Sequence, residues 1–305
     1  MADRIKARKI AAFLKQELIG KDMAVSGICA SVDARENKVS FLRKLSPLEA
    51  MDARTLFIID EHRPIDPKSK NSYIKIKNPR LAFAKVVKAF FTEKRIWGIA
   101  KSAKIGKDVV IAGNISIGEN CVIEDNVSIG PDTVINHNVV IAENTIIGKN
   151  CYIKSGSVIG EDGFGFDFEE DKTPVRIPHK GRVVIHDNVE IGAHTTIARG
   201  TIQDTVINDN VKIDDHAFIA HNCIIGKNTL ITACAEVSGS VVIGENCWLA
   251  PNCSIINKVK IGNNVKIGIG AIITKDIQDN STIMGLESLS SIRLVRFKKR
   301  IKYGD

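Results

Sequence analysis

The chain has 305 residues, a formal charge of +8 and 44% hydrophobic residues, enough for two or three domains with a real core. Aromatic residues make up only 5%, which suits a narrow interior filled by aliphatic side chains. The opening MADRIKARKIAAFLKQELIG is too polar for a signal peptide, and no apolar run is long enough to span a bilayer, so a cytoplasmic protein is expected.

Residues 1–100 read as a small α/β domain. Ile10, Phe13, Leu14 and Leu18 have helical spacing, while Val25–Ile28, Val39–Phe41 and Leu56–Ile59 look like strands. A polar loop over 60–72 follows, and Asn78-Pro79 introduces a helix with Leu81, Ala84, Val87, Phe90 and Phe91 on one side.

From Ile105 an isoleucine recurs every six residues through Ile159. The period resumes at Ile185, Ile191 and Ile197, shifts phase, and runs from Ile207 to Ile273, with Val237 and Leu249 as the only substitutions. No α-helix or flat sheet has this period. A triangular parallel β-helix does, with three short strands in a coil of about 18 residues. The fold class is therefore mainly β: a hexapeptide-repeat solenoid over 101–284, after the α/β domain and before a short helix over 285–305. Most of the seven cysteines sit at repeat positions that accept a small apolar residue, and no CxxC pair occurs; we read them as reduced packing residues. The last segment carries Arg293, Arg296, Lys298, Lys299, Arg300 and Lys302 against Asp305 alone. Such a run is either a solvated face or a surface for an acidic partner.

From Ile159 to Ile185, and from Ile197 to Ile207, the spacing is no multiple of six. A solenoid accommodates inserts by looping them out at a corner, and loops on a rigid scaffold are where sites are built. Both breaks precede DDHAFIAHNCIIG at 214–226. There His221 lies two residues after the inward Ile219, so it points outward between the small Ala220 and Asn222. An imidazole titrates near neutrality and suits a general base.

The pieces Gly160-Glu161-Asp162-Gly163-Phe164-Gly165-Phe166, Ile177-Pro178, Gly181-Arg182-Val183, Arg199-Gly200, Lys212-Ile213-Asp214 and Ile219-Ala220-His221-Asn222 resemble, in order and spacing, the UDP-3-O-(3-hydroxyacyl)glucosamine N-acyltransferases of lipid A biosynthesis. The resemblance implies that the β-helix is a left-handed parallel one, and it implies a homotrimer with active sites between neighbouring β-helices. It implies transfer of an acyl group from a phosphopantetheine thioester to the amine of a UDP-sugar, with no metal, no permanently bound cofactor and no nucleic acid partner. His221 matches the general base, Asp214 an acid in the same groove, and Gly239 the N–H donor to the oxyanion. Asp215 and Asn222 are expected to line the groove, Phe164 and Phe166 to contact sugar or acyl chain, and Phe41 to stack on the nucleotide base.

The sequence departs from the family at several points. Lys258 stands where the family has a second histidine, Ala198 replaces an aspartate, Asp215 replaces an asparagine, and Phe41 is followed by Leu42-Arg43-Lys44 without the Asn and Tyr of the uracil grip. The donor is open between acyl carrier protein, which the basic tail would suit, and coenzyme A, whose phosphates Lys258, Lys260 and Lys266 could meet. One rival reading is an acetyl-CoA-dependent amino-sugar N-acetyltransferase. A second is a γ-carbonic-anhydrase-like zinc enzyme using His216, His221 and either His179 or His186. A third is a non-catalytic scaffold.

Overall fold

The computed structural model describes residues 4–42, 53–92 and 97–285. The chain divides into two compact units, Met1–Arg95 and Ile96–Asp305. The basic helix expected over 285–305 lies, apart from Gly285, outside the described residues.

In the first unit β1 (Ile5–Lys6) leads into α1 (Ala7–Phe13) and pairs antiparallel with β2 (Ala24–Val25). β3 (Val39–Phe41), β4 (Leu56–Ile59) and β5 (Ser72–Lys75) form a parallel sheet, and α2 (Pro79–Phe90) packs on it. β3 and β4 match the expected strands, β2 is shorter than Val25–Ile28, and β5 is additional. Asn78 caps α2, its side chain accepting from the Leu81 N–H at 3.1 Å. The buried stripe of α2 is Ala82 and Val86, with Phe83 and Phe90 beside it. That corrects the face expected from Leu81 and Ala84, which point to solvent. The i, i+4 ridge of Ala82 and Val86 is slimmer and brings the helix axis nearer the sheet.

In the second unit the hexad period becomes three parallel sheets of ten, nine and eight strands. We number the faces in the order in which the chain visits them, beginning with Gly98–Ile99 on the first, Lys104–Ile105 on the second and Val110–Ile111 on the third. Each repeat isoleucine from Ile117 to Ile273 is buried and stacks on its counterpart in the next coil, as Ile123 does on Ile141 and Ile219 on Val237. Burying one such side chain contributes about 1.5–3 kcal/mol relative to exposure.

Most corners contain a residue with positive φ. Most are Asn, as at Asn120, Asn138, Asn210, Asn228 and Asn246, which tolerate this region better than other non-glycine residues. Their side chains form ladders between coils, with Asn210 donating to Asn228 at 3.1 Å and Asn228 to Asn246 at 3.0 Å. Two residues before the repeat isoleucine the chain often places Thr or Cys. These donate to a carbonyl of the next coil, Thr229 to Gly244 O at 2.9 Å and Cys247 to Gly262 O at 3.1 Å.

All seven cysteines are free. Burial pushes the Cys223 thiol up to about 12 and those of Cys151 and Cys253 to about 11; Cys121 and Cys247 are raised by the same cause. At pH 8 these five are neutral and covered, whereas Cys234 is exposed and Cys29 half-exposed. An aromatic disulfide reagent at pH 8 should therefore modify Cys234 first and Cys29 second. The remaining five should react only after denaturation; fast native labelling of more than two thiols would contradict this packing.

Candidate active site

The two breaks in the hexad period and His221 lie on one edge of the prism. The chain leaves the second face at Ile159 and reaches the third at Val183, leaves again at Ile197 and returns at Thr205, and makes its next passage through Ala220–Cys223. One coil further, Ser238–Val241 makes the same passage, followed by Ile256–Val259. Both inserts, His221, Gly239 and Lys258 thus form one column on the edge between the second and third faces.

Arg199 ties the inserts to the scaffold. It is 7% exposed. Its Nε donates to Gly160 O, its two terminal nitrogens to Glu143 Oε1 at 3.1 Å and Glu143 O at 3.2 Å, and its backbone N–H to Glu161 O at 3.0 Å. Gly160, at φ +93°, begins the first insert here. The insert continues as a hairpin of Phe166–Phe168 with Pro174–Arg176 and returns through Ile177-Pro178-His179. Phe164 is 85% exposed and lies 4.8 Å from the Phe166 ring, while the Arg176 guanidinium covers Phe166 at 4.8 Å. A cleft of 380 Å³ follows the same edge toward the N-terminal coils, lined by Lys104, Val122, Glu124 and Glu143 among others.

The tautomer of His221 is assigned by its surroundings. His221 Nδ1 lies 2.9 Å from Asn222 Oδ1. That oxygen already accepts from Thr201 N–H and Thr201 Oγ1, each at 3.1 Å, while Asn222 Nδ2 donates to Gln203 O at 3.0 Å. Two backbone groups fix the amide orientation, so Oδ1 can only accept and His221 Nδ1 carries the hydrogen. Nε2 of the neutral ring is then the lone-pair nitrogen, and no hydrogen bond occupies it among the described residues. The second insert, residues 201–204, supplies both backbone groups.

Gly239 closes on that nitrogen. A Cβ built at Gly239 would lie 2.6 Å from both Nε2 and Cε1 of His221, so only glycine fits beside the ring. Gly239 O accepts from Lys258 N–H at 2.9 Å, whereas the Gly239 N–H makes no hydrogen bond among the described residues. On the other flank a Cβ at Gly163 would lie 3.1 Å from His221 Cβ and Cδ2. The His179 ring meets the His221 ring edge-on, centroids 5.3 Å apart.

The structure thus gathers His221, Asn222, Gly239, Phe164, Phe166 and Lys258 on one edge. Lys258 is exposed, two coils above Asn222. Asp214 and Asp215 are placed elsewhere in the chain, on the edge between the first and second faces. Asp215 is held there by Lys154 Nζ at 2.7 Å and Ala193 N–H at 2.7 Å, and these bonds lower its pKa below the usual carboxylate value. No contact joins either aspartate to His221 within one chain, because the strand Phe218–Ile219 intervenes. His216 is on that other edge too, stacked on His194 at 5.4 Å. Phe41 belongs to the first unit, where its ring packs on Phe83 at 5.0 Å. Arg43 and Lys44 lie outside the described residues. Sequence reasoning missed Gly163, Gly165 and Arg199 as site-builders. The glycines were visible in the sequence, but the rings they make room for were not.

A triangular prism built of hexad repeats places the chain among the hexapeptide-repeat transferases. The family model for the bacterial transferase hexapeptide (six repeats) matches residues 126–161, 204–239 and 240–275. A UDP-3-O-acylglucosamine N-acyltransferase of Campylobacter lari is 37% identical across 97% of this chain and 97% of its own. The chain belongs to the UDP-3-O-acylglucosamine N-acyltransferase family. A relative of the same name from Herminiimonas arsenicoxydans is 38% identical over 42% of this chain, and the match spans 37% of that relative's length. Among solved structures, LpxA from Acinetobacter baumannii aligns over 66% of this chain and 77% of its own, with 27% identity and a TM-score of 0.57. The UDP-N-acetylglucosamine acyltransferase of Francisella novicida aligns over 66% and 73%, with 25% identity and a TM-score of 0.54.

Replacing Gly239 by Ala should rotate the His221 ring off Asn222 without unfolding the prism. A crystal structure of the variant with the His221–Asn222 bond intact would show that the close approach does not position His221.

Proposed function

We propose that the protein transfers an acyl group from a phosphopantetheine thioester to the amine of a UDP-linked 3-O-acylglucosamine, a step of lipid A assembly in the cytoplasm. The observation that carries this reading is the His221 Nε2 lone pair facing a glycine with an unspent N–H, on the edge that bears both inserts. The sugar nitrogen attacks the thioester carbonyl carbon. As the C–N bond forms, the carbonyl π pair moves to oxygen, where the Gly239 N–H donates, and His221 Nε2 takes the amine proton. Collapse restores the C=O bond and breaks the C–S bond, and the proton passes to the leaving sulfur. Phe164 and Phe166 offer an apolar surface for acyl chain or sugar beside this point. No resident metal or cofactor is needed.

Asp214 and Asp215 join the site in this reading through a second copy, whose edge between the first and second faces lies against the His221 edge. The outward column of the third face supports association: from Ile146 through Val184, Val206 and Ile224 to Val242 it presents an apolar stripe. We propose a homotrimer on that basis and from family membership. Among the described residues no helix is long and apolar enough to cross a membrane.

Thiol release should be followed with UDP-3-O-acylglucosamine while 3-hydroxyacyl carrier protein, the corresponding acyl-CoA and acetyl-CoA are offered in parallel. Turnover with the carrier protein is expected, and His221→Ala should lower it by about 10²–10⁴-fold with the oligomer intact. Full activity of the variant would remove His221 from the mechanism. Turnover with acetyl-CoA alone would favour the N-acetyltransferase reading, and no turnover with any donor would favour a scaffold or a different reaction.

A further inference from the structure

His179 is the unexplained residue of the edge. It is 2% exposed and comes from the return of the first insert. Its Nδ1 is 3.0 Å from Ile177 O. A carbonyl only accepts, so Nδ1 carries the hydrogen and Nε2 is left with its lone pair. That Nε2 is buried and has no hydrogen-bond partner among the described residues. Native proteins rarely leave a buried acceptor unused, and a phenylalanine would pack in this space without the penalty.

The placement of that nitrogen is informative. The point where a Gly163 side chain would begin is 3.0 Å from His179 Nε2 and 3.1 Å from His221 Cβ and Cδ2. Gly165 is built in the same way, with its Cβ position 2.8 Å from His179 Cε1. The two glycines of the Gly-Phe-Gly-Phe run therefore let the insert close over His179, so that its Nε2 and the flank of the His221 ring border the same space beside Gly163. Asn222 occupies Nδ1 of His221, and Gly239 lines Nε2. His179 thus faces the remaining side of a ring that acquires positive charge during acyl transfer.

We propose that His179 is a positioning residue acting through His221. Its bare Nε2 turns the negative end of a neutral imidazole toward His221, fixed before the reaction begins, and so favours the state in which His221 has taken the amine proton. Preorganised dipoles aimed at developing charge are effective because they need no reorganisation at the moment of reaction. Lys258 is exposed, and its backbone N–H is spent on Gly239 O. His179 neither touches substrate in this account nor transfers a proton.

The inference rests on the acyl-transfer reading, and the test separates the two. His179→Phe keeps a ring but has no lone pair. His179→Gln loses the ring but can present an acceptor at the same reach. With the donor that supports turnover, the Phe variant should lose at least about tenfold in kcat with KM for the sugar within about twofold. The Gln variant should stay within about threefold of the parent. Histidine-selective 15N spectra of the unmodified protein should show His179 as the Nδ1–H tautomer with Nε2 neither protonated nor hydrogen-bonded. A Phe variant as active as the parent would reduce His179 to packing and overturn the proposal. Equal losses in both variants, expressed in KM, would make it an anchor of the insert and overturn it too, as would a doubly protonated His179 in the spectra. If the parent protein turns over no donor, the acyl-transfer reading fails, and the 15N spectra alone still decide whether the buried nitrogen is bare.

Discussion

The inward stack of isoleucine is the constraint on which the solenoid depends. A coil of the prism cannot bury its own apolar side chains; they are covered only by the coils above and below. The interior is narrow, so no extra residue can enter it without displacing a repeat isoleucine. Any added length must therefore leave between two strands. The chain adds length twice within this column, and both times it leaves between the second and third faces. A surface that is otherwise periodic becomes singular along that edge.

The singular edge is also where backbone geometry sets side-chain chemistry. The short second insert places Thr201 N–H and Gln203 O around the Asn222 amide, which leaves its oxygen to accept from His221. The long first insert brings His179 and two glycines against the other flank of the same ring. Gly239 arrives from the next coil of the scaffold. His221 is therefore held by a corner residue, two inserts and a neighbouring coil, and its lone-pair nitrogen is defined by groups that cannot be reoriented without unfolding the edge. The C. lari relative, similar over nearly its whole length, makes this arrangement relevant to a family defined by N-acyl transfer.

Much of this was legible in the sequence, because the repeat has a period and the side chains obey it. The two-residue offset from Ile219 is enough to turn His221 outward, and the failures of the period locate both inserts. The residues that read poorly are those whose partners are distant along the chain. His179 looked like nothing more than a spare zinc-ligand candidate, since its relation to His221 depends on how the first insert returns. Asp214 and Asp215 are close to His221 in sequence, but one strand of a triangular prism turns the chain to a different edge. In the first unit the spacing in α2 favours a face that includes Leu81, whereas alanine and valine meet the sheet. Short helical patterns with several apolar residues admit two faces, and packing chooses between them.

In the proposed reaction the amine to be acylated is delivered to Nε2 of His221 on this edge. A crystal structure of the protein with UDP-3-O-acylglucosamine and a non-transferable thioether analogue of the donor tests it directly. The sugar amine is expected within hydrogen-bonding distance of His221 Nε2, with the donor carbonyl oxygen facing the Gly239 N–H. An amine bound at the Asp214 edge, with the His221 edge of every copy empty, would contradict it.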